Sequence, residues 1–175
     1  ISAIGELAHK IVAIHALTDL SRGITLNVGL INGGQSVNTT APLAEGRIDM
    51  RYRDPRDRAG VIEAIQRIID TPTVKGTTAR LEILGEFSPL TKLAASDALF
   101  ETYASAAADA GLEVAGEFSG GCADSGFTTG VGCPTICATG PVGANAHTPE
   151  EFMVVDTLVP RAQAMALAIL RLPPA

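Results

Sequence analysis

Over residues 2–17 the apolar positions come in pairs, Ala3/Ile4, Leu7/Ala8 and Ile11/Val12, followed by Ile14/His15. This is the period of a helix with one buried stripe. Arg22-Gly23 closes that unit. Over residues 24–31 the pattern switches to alternation, with Ile24, Leu26, Val28 and Leu30 on one side, which predicts a half-buried strand. Asn32-Gly33-Gly34 breaks it. Residues 44–52 alternate again, Ile48 and Met50 against Arg47, Asp49 and Arg51. Asp54-Pro55 then signals a helix start, with Asp54 as cap and Pro55 as first helical residue. Val61, Ile62, Ile65, Ile68 and Ile69 carry that helix to Thr71-Pro72, and Ala79, Leu81 and Ile83 predict another strand over 77–84.

The order helix, strand, strand, helix, strand is a ferredoxin-like β-α-β-β-α-β unit without its first strand. A small antiparallel sheet needs that strand to seal it, so an N-terminal portion is expected to be missing. Beyond a connector at 85–92 containing Pro89, a helix is predicted over 97–110, ended by Gly111, and a strand over 112–118. A glycine turn, a helix over 125–131 and an apolar strand over 135–138 follow. A loop carrying His147 and a long amphipathic helix over 155–172 complete the chain. Alternating strands and helices predict a parallel α/β layer here. The fold class expected for the whole is α/β in the broad α+β sense.

Composition narrows the function classes. Hydrophobic residues make up 46% and charged residues 18% of 175, which is globular. With no Trp and 4% aromatic residues the core must be aliphatic, and the composition argues against base-stacking platforms. A net charge of -6 argues against a nucleic-acid partner. No apolar run reaches the roughly 18 residues of a membrane span, and no membrane partner is expected. The most apolar stretch, 162–172, is flanked by arginine and reads as a buried helix. Cys122, Cys133 and Cys137 are odd in number and lack a Cys-x-x-Cys pair, which argues against a disulfide framework or zinc knuckle. They are predicted to be buried as small apolar side chains. The chain opens at Ile1 with no signal-like segment, so the compartment stays open between cytoplasm and periplasm for a soluble protein.

Candidate chemistry gathers near the C-terminus. His147 lies in Ala-His-Thr-Pro-Glu-Glu, where Gly140, Gly143 and Ala146 keep the ring uncovered. A neutral imidazole is the commonest zinc ligand, and an exposed loop histidine is the alternative. His9 and His15, six apart on the first helix, cannot share a ligand face and read as structural or surface residues. Asp124 is placed to cap the next helix, to orient a histidine or to bind a metal directly, the first two favoured because no ligand partners lie nearby in the sequence. Ser125 lacks the Gly-x-Ser-x-Gly frame, and no phosphate loop or dinucleotide turn is present. Arg51, at a strand end, could clamp a carboxylate bidentately, with Asn38 in the preceding turn. A solvated strand end and a turn asparagine are the plainer reading.

The strings GGQSVNTTAP, AEGRIDMRYRDP, GGCADSGFTTGVGCPT and GPVGANAHTPEEFMVVDTLVPR, in this order, resemble the M20 metallopeptidase family. The nearest branch is that of the glutamate carboxypeptidases (carboxypeptidase G2-like). The resemblance implies that residues 1–87 are most of a lid and dimerisation domain, and residues 88–175 the C-terminal part of a catalytic domain that binds two zinc ions. It implies that His147 is a zinc ligand and that Asn38 and Arg51 hold a substrate carboxylate. Ser119 and Cys122 then belong to a loop lining the substrate pocket. The first metal histidine, bridging aspartate, general-base glutamate and lid histidine of the family would all lie upstream of Ile1. Cys122 and Ala123 stand where relatives often carry Gly and Ser or Thr, and Ser88 where some place an arginine. The function implied is part of a zinc-dependent carboxypeptidase or amidohydrolase acting on a small peptide or acylamino acid with a free carboxylate. A homodimer through the lid is implied, and the chain alone is expected to be inactive. The competing readings are a non-catalytic dimerisation or binding module, and an acylamino-acid or carbamoyl amidase of the same fold.

Overall fold

The computed structural model describes residues 1–173. The chain divides into two compact units, Ile1–Pro89 and a second beginning at Leu90. Both are mixtures of helices and small antiparallel sheets, an α+β fold.

Unit 1 starts with helix α1 (Ala3–His15), whose first turn is capped by Ser2 Oγ accepting from Gly5 N at 3.2 Å. Strands β1 (Thr25–Gly33) and β2 (Ala44–Arg51) form an antiparallel hairpin, registered from Thr25↔Arg51 to Gly33↔Ala44. Before β1 the chain turns tightly at Gly23, with φ +69°; an added Cβ there would meet Arg53 Cδ at 2.2 Å. Helix α2 (Asp57–Asp70) buries Val61, Ile65 and Ile69, one per turn, as the sequence predicts. These join Ile14, Ile24 and Leu26 in the core, with Val28, Ile48, Met50 and Leu81 packed around them.

The helix pattern of α1 is only half right. Ile14 faces inward, but Ile4 and Val12 are exposed, and the inward positions one and two turns earlier belong to Lys10 and Glu6, each 4% exposed. Their side chains pair at 2.9 Å. Lys10 Nζ donates to the carbonyls of Ile68, Ile69 and Thr71 (2.7, 3.0 and 3.2 Å), at the C-terminal end of α2 and just beyond it. Glu6 accepts from Thr73 N (3.0 Å) and Val74 N (2.6 Å), in the chain leaving that helix.

Four further expectations in unit 1 change. Leu30 is 64% exposed because the register slips between Val28 and Leu30, leaving Gly29 as an extra residue. That slip puts Leu30 out of phase with Leu26. β1 also continues through Asn32 to Gly33. α2 begins at Asp57, so Pro55 lies in a turn before the helix, where Asp54 Oδ1 accepts from Arg56 N at 2.9 Å. Residues 77–84 form no strand among the described residues: Leu81 packs on the core, but the backbone joins no ladder.

Unit 2 is built on a seam of small residues. Helices α3 (Ala94–Asp109) and α5 (Leu158–Arg171) bury Ala106, Ala107, Ala164 and Ala168 against one another, with Tyr103 filling the remaining volume. Side chains this short let helix backbones approach closely. Between them lie α4 (Ser125–Gly130) and a two-residue hairpin, β3 (Gly143–Ala144) with β4 (Phe152–Met153). The parallel layer expected here is replaced by that hairpin. Leu112, Val114 and Ile136 do pack on the alanine seam, so the apolar signal at 112–118 and 135–138 reports burial without strand pairing. Only one face of α5 is covered, as the amphipathic pattern over 155–172 predicts; the buried reading of 162–172 holds for Ala164 and Ala168, while Ile169 and Leu170 are exposed. Among the described residues no helix is long and apolar enough to cross a membrane.

Removing one partner of a buried ion pair costs about 3–5 kcal/mol, so Glu6→Gln and Lys10→Met are each expected to lower unfolding stability by that order in urea melts. The apolar double variant Glu6→Leu/Lys10→Met is not expected to recover, because five backbone groups on 68–74 lose their partners. The Val74 N–H, and then Lys10 and the Thr73 N–H, outweigh burial and hold the Glu6 carboxyl at about 2, down from 4.5. A depressed carboxyl stabilises fully above its unfolded value and less as the pH falls through its folded value. The urea midpoint should therefore decline between pH 4.5 and about 2, and Glu6→Gln should flatten that slope.

Candidate functional site

His147 sits in the connection between β3 and β4. Gly143 lets the hairpin close: a Cβ there would lie 2.5 Å from the Phe152 carbonyl oxygen. Val142 ties the hairpin to the start of α5, its N–H donating to Thr157 Oγ1 at 2.9 Å while its carbonyl accepts from Val154 N at 2.8 Å. Within the connection, Thr148 Oγ1 donates to Asn145 O (2.8 Å) and Asn145 Nδ2 to Glu150 O (3.3 Å). Asn145 and His147 both adopt the left-handed conformation, φ +60° and +68°. Non-glycine residues held there cluster at functional sites, where surrounding bonds over-determine the strain.

Glu151, four residues after His147, does not touch the imidazole. Its Oε2 accepts the main-chain N–H of His147 at 3.3 Å, so it shapes the loop. The His147 ring is exposed, with no hydrogen-bond partner among the described residues. No group of three or more His, Cys, Asp or Glu among those residues is placed to hold a metal ion. Zinc takes four ligands, or three and a water. The donors described here therefore do not fit a zinc centre: His147 offers one imidazole and no more.

Ser119 and Cys122 lie in the exposed, irregular turn before α4, where Ser119 Oγ accepts from Gly121 N at 3.1 Å. Asp124 occupies the N-cap position of α4 but makes no side-chain capping bond. All three cysteines are exposed, contrary to their predicted burial, because they fall in coil flanking the alanine seam. His9 is exposed, and His15 is structural: its Nε2 accepts from Val28 N at 2.9 Å, tying the end of α1 to β1.

In unit 1, Arg51 ends β2 opposite Thr25, with Nε donating to Asp49 Oδ2 at 2.8 Å. Asn38 lies in the ten-residue connection beyond the Gly33↔Ala44 pair, its Oδ1 accepting from Ser36 Oγ at 2.7 Å. The register puts the two residues at opposite ends of the hairpin, and the structure does not bring them together. Two clusters carry no signal in the sequence motifs. One is the Glu6–Lys10 pair, legible only as an acid and a base four residues apart on the apolar side of α1. The other is a triad of Tyr52, Arg58 and Glu86, three residues far apart in sequence.

Residues 1–77 match the family model described as the peptidase dimerisation domain, M20_dimer. The match lies within unit 1 and supports a relation to the M20 peptidases. No curated protein matches the chain.

A left-handed residue other than glycine costs about 1–2 kcal/mol. His147→Gly should therefore raise the thermal midpoint, and His147→Val, branched at Cβ, should lower it. Melts of the two variants showing no difference in sign would mean that the loop relaxes freely.

Proposed function

We propose that the chain forms the dimerising lid, residues 1–87, and the C-terminal catalytic segment, residues 88–175, of an M20-like zinc carboxypeptidase or amidohydrolase. Its substrate would be a small peptide or acylamino acid cleaved at the amide next to a free carboxylate. The observation that carries this reading is the peptidase-dimerisation match over residues 1–77, which falls inside unit 1. The site chemistry is compatible. Arg51 presents a guanidinium at a strand end, suited to a planar carboxylate. Asn38 offers an amide from the connection at the opposite end of the hairpin, so the two groups would not meet one carboxylate within unit 1; in unit 2, the 119–122 turn offers backbone groups of its own. His147 contributes one imidazole toward a metal from a loop held in a strained conformation. Zinc would be the cofactor of that reaction class, and among the described residues this chain supplies one imidazole toward it.

A second reading, a dimerisation module without catalysis, is favoured by the dimerisation-domain match over residues 1–77 and by the exposed Leu30 and Ile31 on β1, a long edge strand. The encoded frame upstream of Ile1 separates the two. A His-x-Asp motif and a Glu-Glu pair there support the hydrolase, and a start codon at Ile1 supports the module. A panel of N-acyl and N-carbamoyl amino acids would separate a peptidase from an acylamino-acid or carbamoyl amidase.

For the chain by itself, sedimentation should give a mass twice 18.0 kDa, reduced to the monomer by Leu30→Glu. No hydrolysis of N-acyl or N-carbamoyl amino acids is expected from it with zinc supplied; turnover with stoichiometric zinc would overturn the assignment of His147 to a partial site.

A further inference from the structure

Unit 1 carries two strand-like edges without partners. β2 pairs with β1 on one side, and among the described residues nothing pairs with its other side. Residues 77–84 alternate like a strand and Leu81 packs on the core, yet the main chain of 78–86 enters no hydrogen bond among those residues. Ile83 is in phase with Leu81 but 57% exposed, and Leu84 beside it is 72% exposed. Bare amides and carbonyls on an apolar, strand-patterned segment are a template for a ladder. The two edges run in the same sense, as the contacts at both ends establish. At the start, Ala41 O, just before β2, accepts from Ala3 N at 2.9 Å, and Ile1 lies against Gly76, where an added Cβ would meet its Cδ1 at 2.8 Å. At the far end Tyr52, just past β2, donates its hydroxyl to Glu86 Oε1 at 2.8 Å, and Arg58 donates to Glu86 Oε2 at 2.7 Å. β2, α2 and 77–86 therefore form a strand–helix–strand unit whose outer segments are co-directional but not bonded to each other. In a split unit of this kind, one antiparallel strand lies between the two parallel ones.

We infer that β2 and residues 77–86 flank a slot for one further strand, antiparallel to both, filled by an extended segment that leads directly into Ile1. Its direction follows from the ends. A strand antiparallel to β2 leaves the slot beside Ala44 and Thr77, where Ile1 and the start of α1 already lie. Its length follows from β2, which has 8 residues and so spans about 26 Å at about 3.3 Å per residue. Its pattern follows from the core. Ile48 and Met50 on one side of the slot and Leu81 on the other pack around the Val61, Ile65 and Ile69 cluster, so alternate residues of the incoming strand must be apolar. The slot lies on the opposite edge of the hairpin from the open side of β1, and it holds whether or not the chain serves a hydrolase.

Amide-resolved hydrogen exchange tests this on the full chain. In the unmodified protein, residues 78–86 should exchange at nearly unprotected rates. A segment of alternating threonine and valine, matched to the 8 residues of β2, is then fused directly ahead of Ile1. It should slow alternate amides of 78–86, and the amides of β2 that face away from β1, roughly two- to tenfold for each new bond. The same segment with prolines at its third and fifth positions, which cannot donate to a ladder, should lose the effect. A lysine-tagged copy of the segment, added as a free peptide, should slow the same amides and keeps the test open if the fusion folds poorly. Protection of 78–86 in the unmodified chain would overturn the proposal, as would protection there that rises with protein concentration and so puts a second copy in the slot. Uniform slowing throughout unit 1, or no slowing with either fusion or peptide, would overturn it as well.

Discussion

Unit 1 depends on one buried ion pair. A two-stranded hairpin is too small to stand alone in water, and two helices laid over it must be fixed to each other as well as to the sheet. Ile14, Ile65 and their neighbours supply the apolar part of that contact. Glu6 and Lys10 supply its direction. The ammonium sits at the C-terminal end of α2, where orphaned carbonyls concentrate negative charge, and the carboxylate receives the N–H groups that follow. Each charge is thus satisfied by its partner and by backbone that has no other intrahelical bond to make. Burial of the pair is tolerated for that reason, and α1 and α2 gain a fixed register that aliphatic packing alone would leave soft.

Unit 2 solves its packing differently. Its helices meet through alanines, so they sit close together and bury little apolar area for each contact. The features of chemical interest, the 119–124 turn and the His147 hairpin, hang on this thin core by specific hydrogen bonds, among them Thr135 N to Ser96 Oγ and Val142 N to Thr157 Oγ1. Such a construction leaves loop geometry to local bonding, which is how Asn145 and His147 come to be held at positive φ.

Legibility followed the same division. Where an apolar period matched a packed face, as at Val61, Ile65 and Ile69 or Ile48 and Met50, the helix or strand could be read from the pattern. Alternation at 77–84 and 112–118 reported burial only in part: Leu81, Leu112 and Val114 face their cores, but Ile83 and Phe118 are exposed. It could not report pairing, because a ladder is a property of two segments and only one was in view. The α1 stripe misled for another reason: Glu6 and Lys10 look solvated until the end of α2 is laid across them. Motif reading placed His147 in its loop, but the role of Glu151 as a main-chain acceptor depended on a left-handed turn that no residue type announces.

The geometry around Arg51 bears on how a carboxylate would be recognised there. Its guanidinium is already engaged by Asp49 on the same strand, both side chains being about half exposed. An incoming carboxylate would exchange with or share against a carboxylate of like charge and similar hydration, and exposed pairs of this kind are worth at most about 1 kcal/mol. Affinity from that exchange alone is small. Discrimination would have to come from a second contact that Asp49 cannot imitate, an amide donor or a pocket for the adjoining residue. Asn38 is too far along the hairpin to provide it from the same end of the sheet, so the second contact must be sought in other surroundings of the β2 terminus.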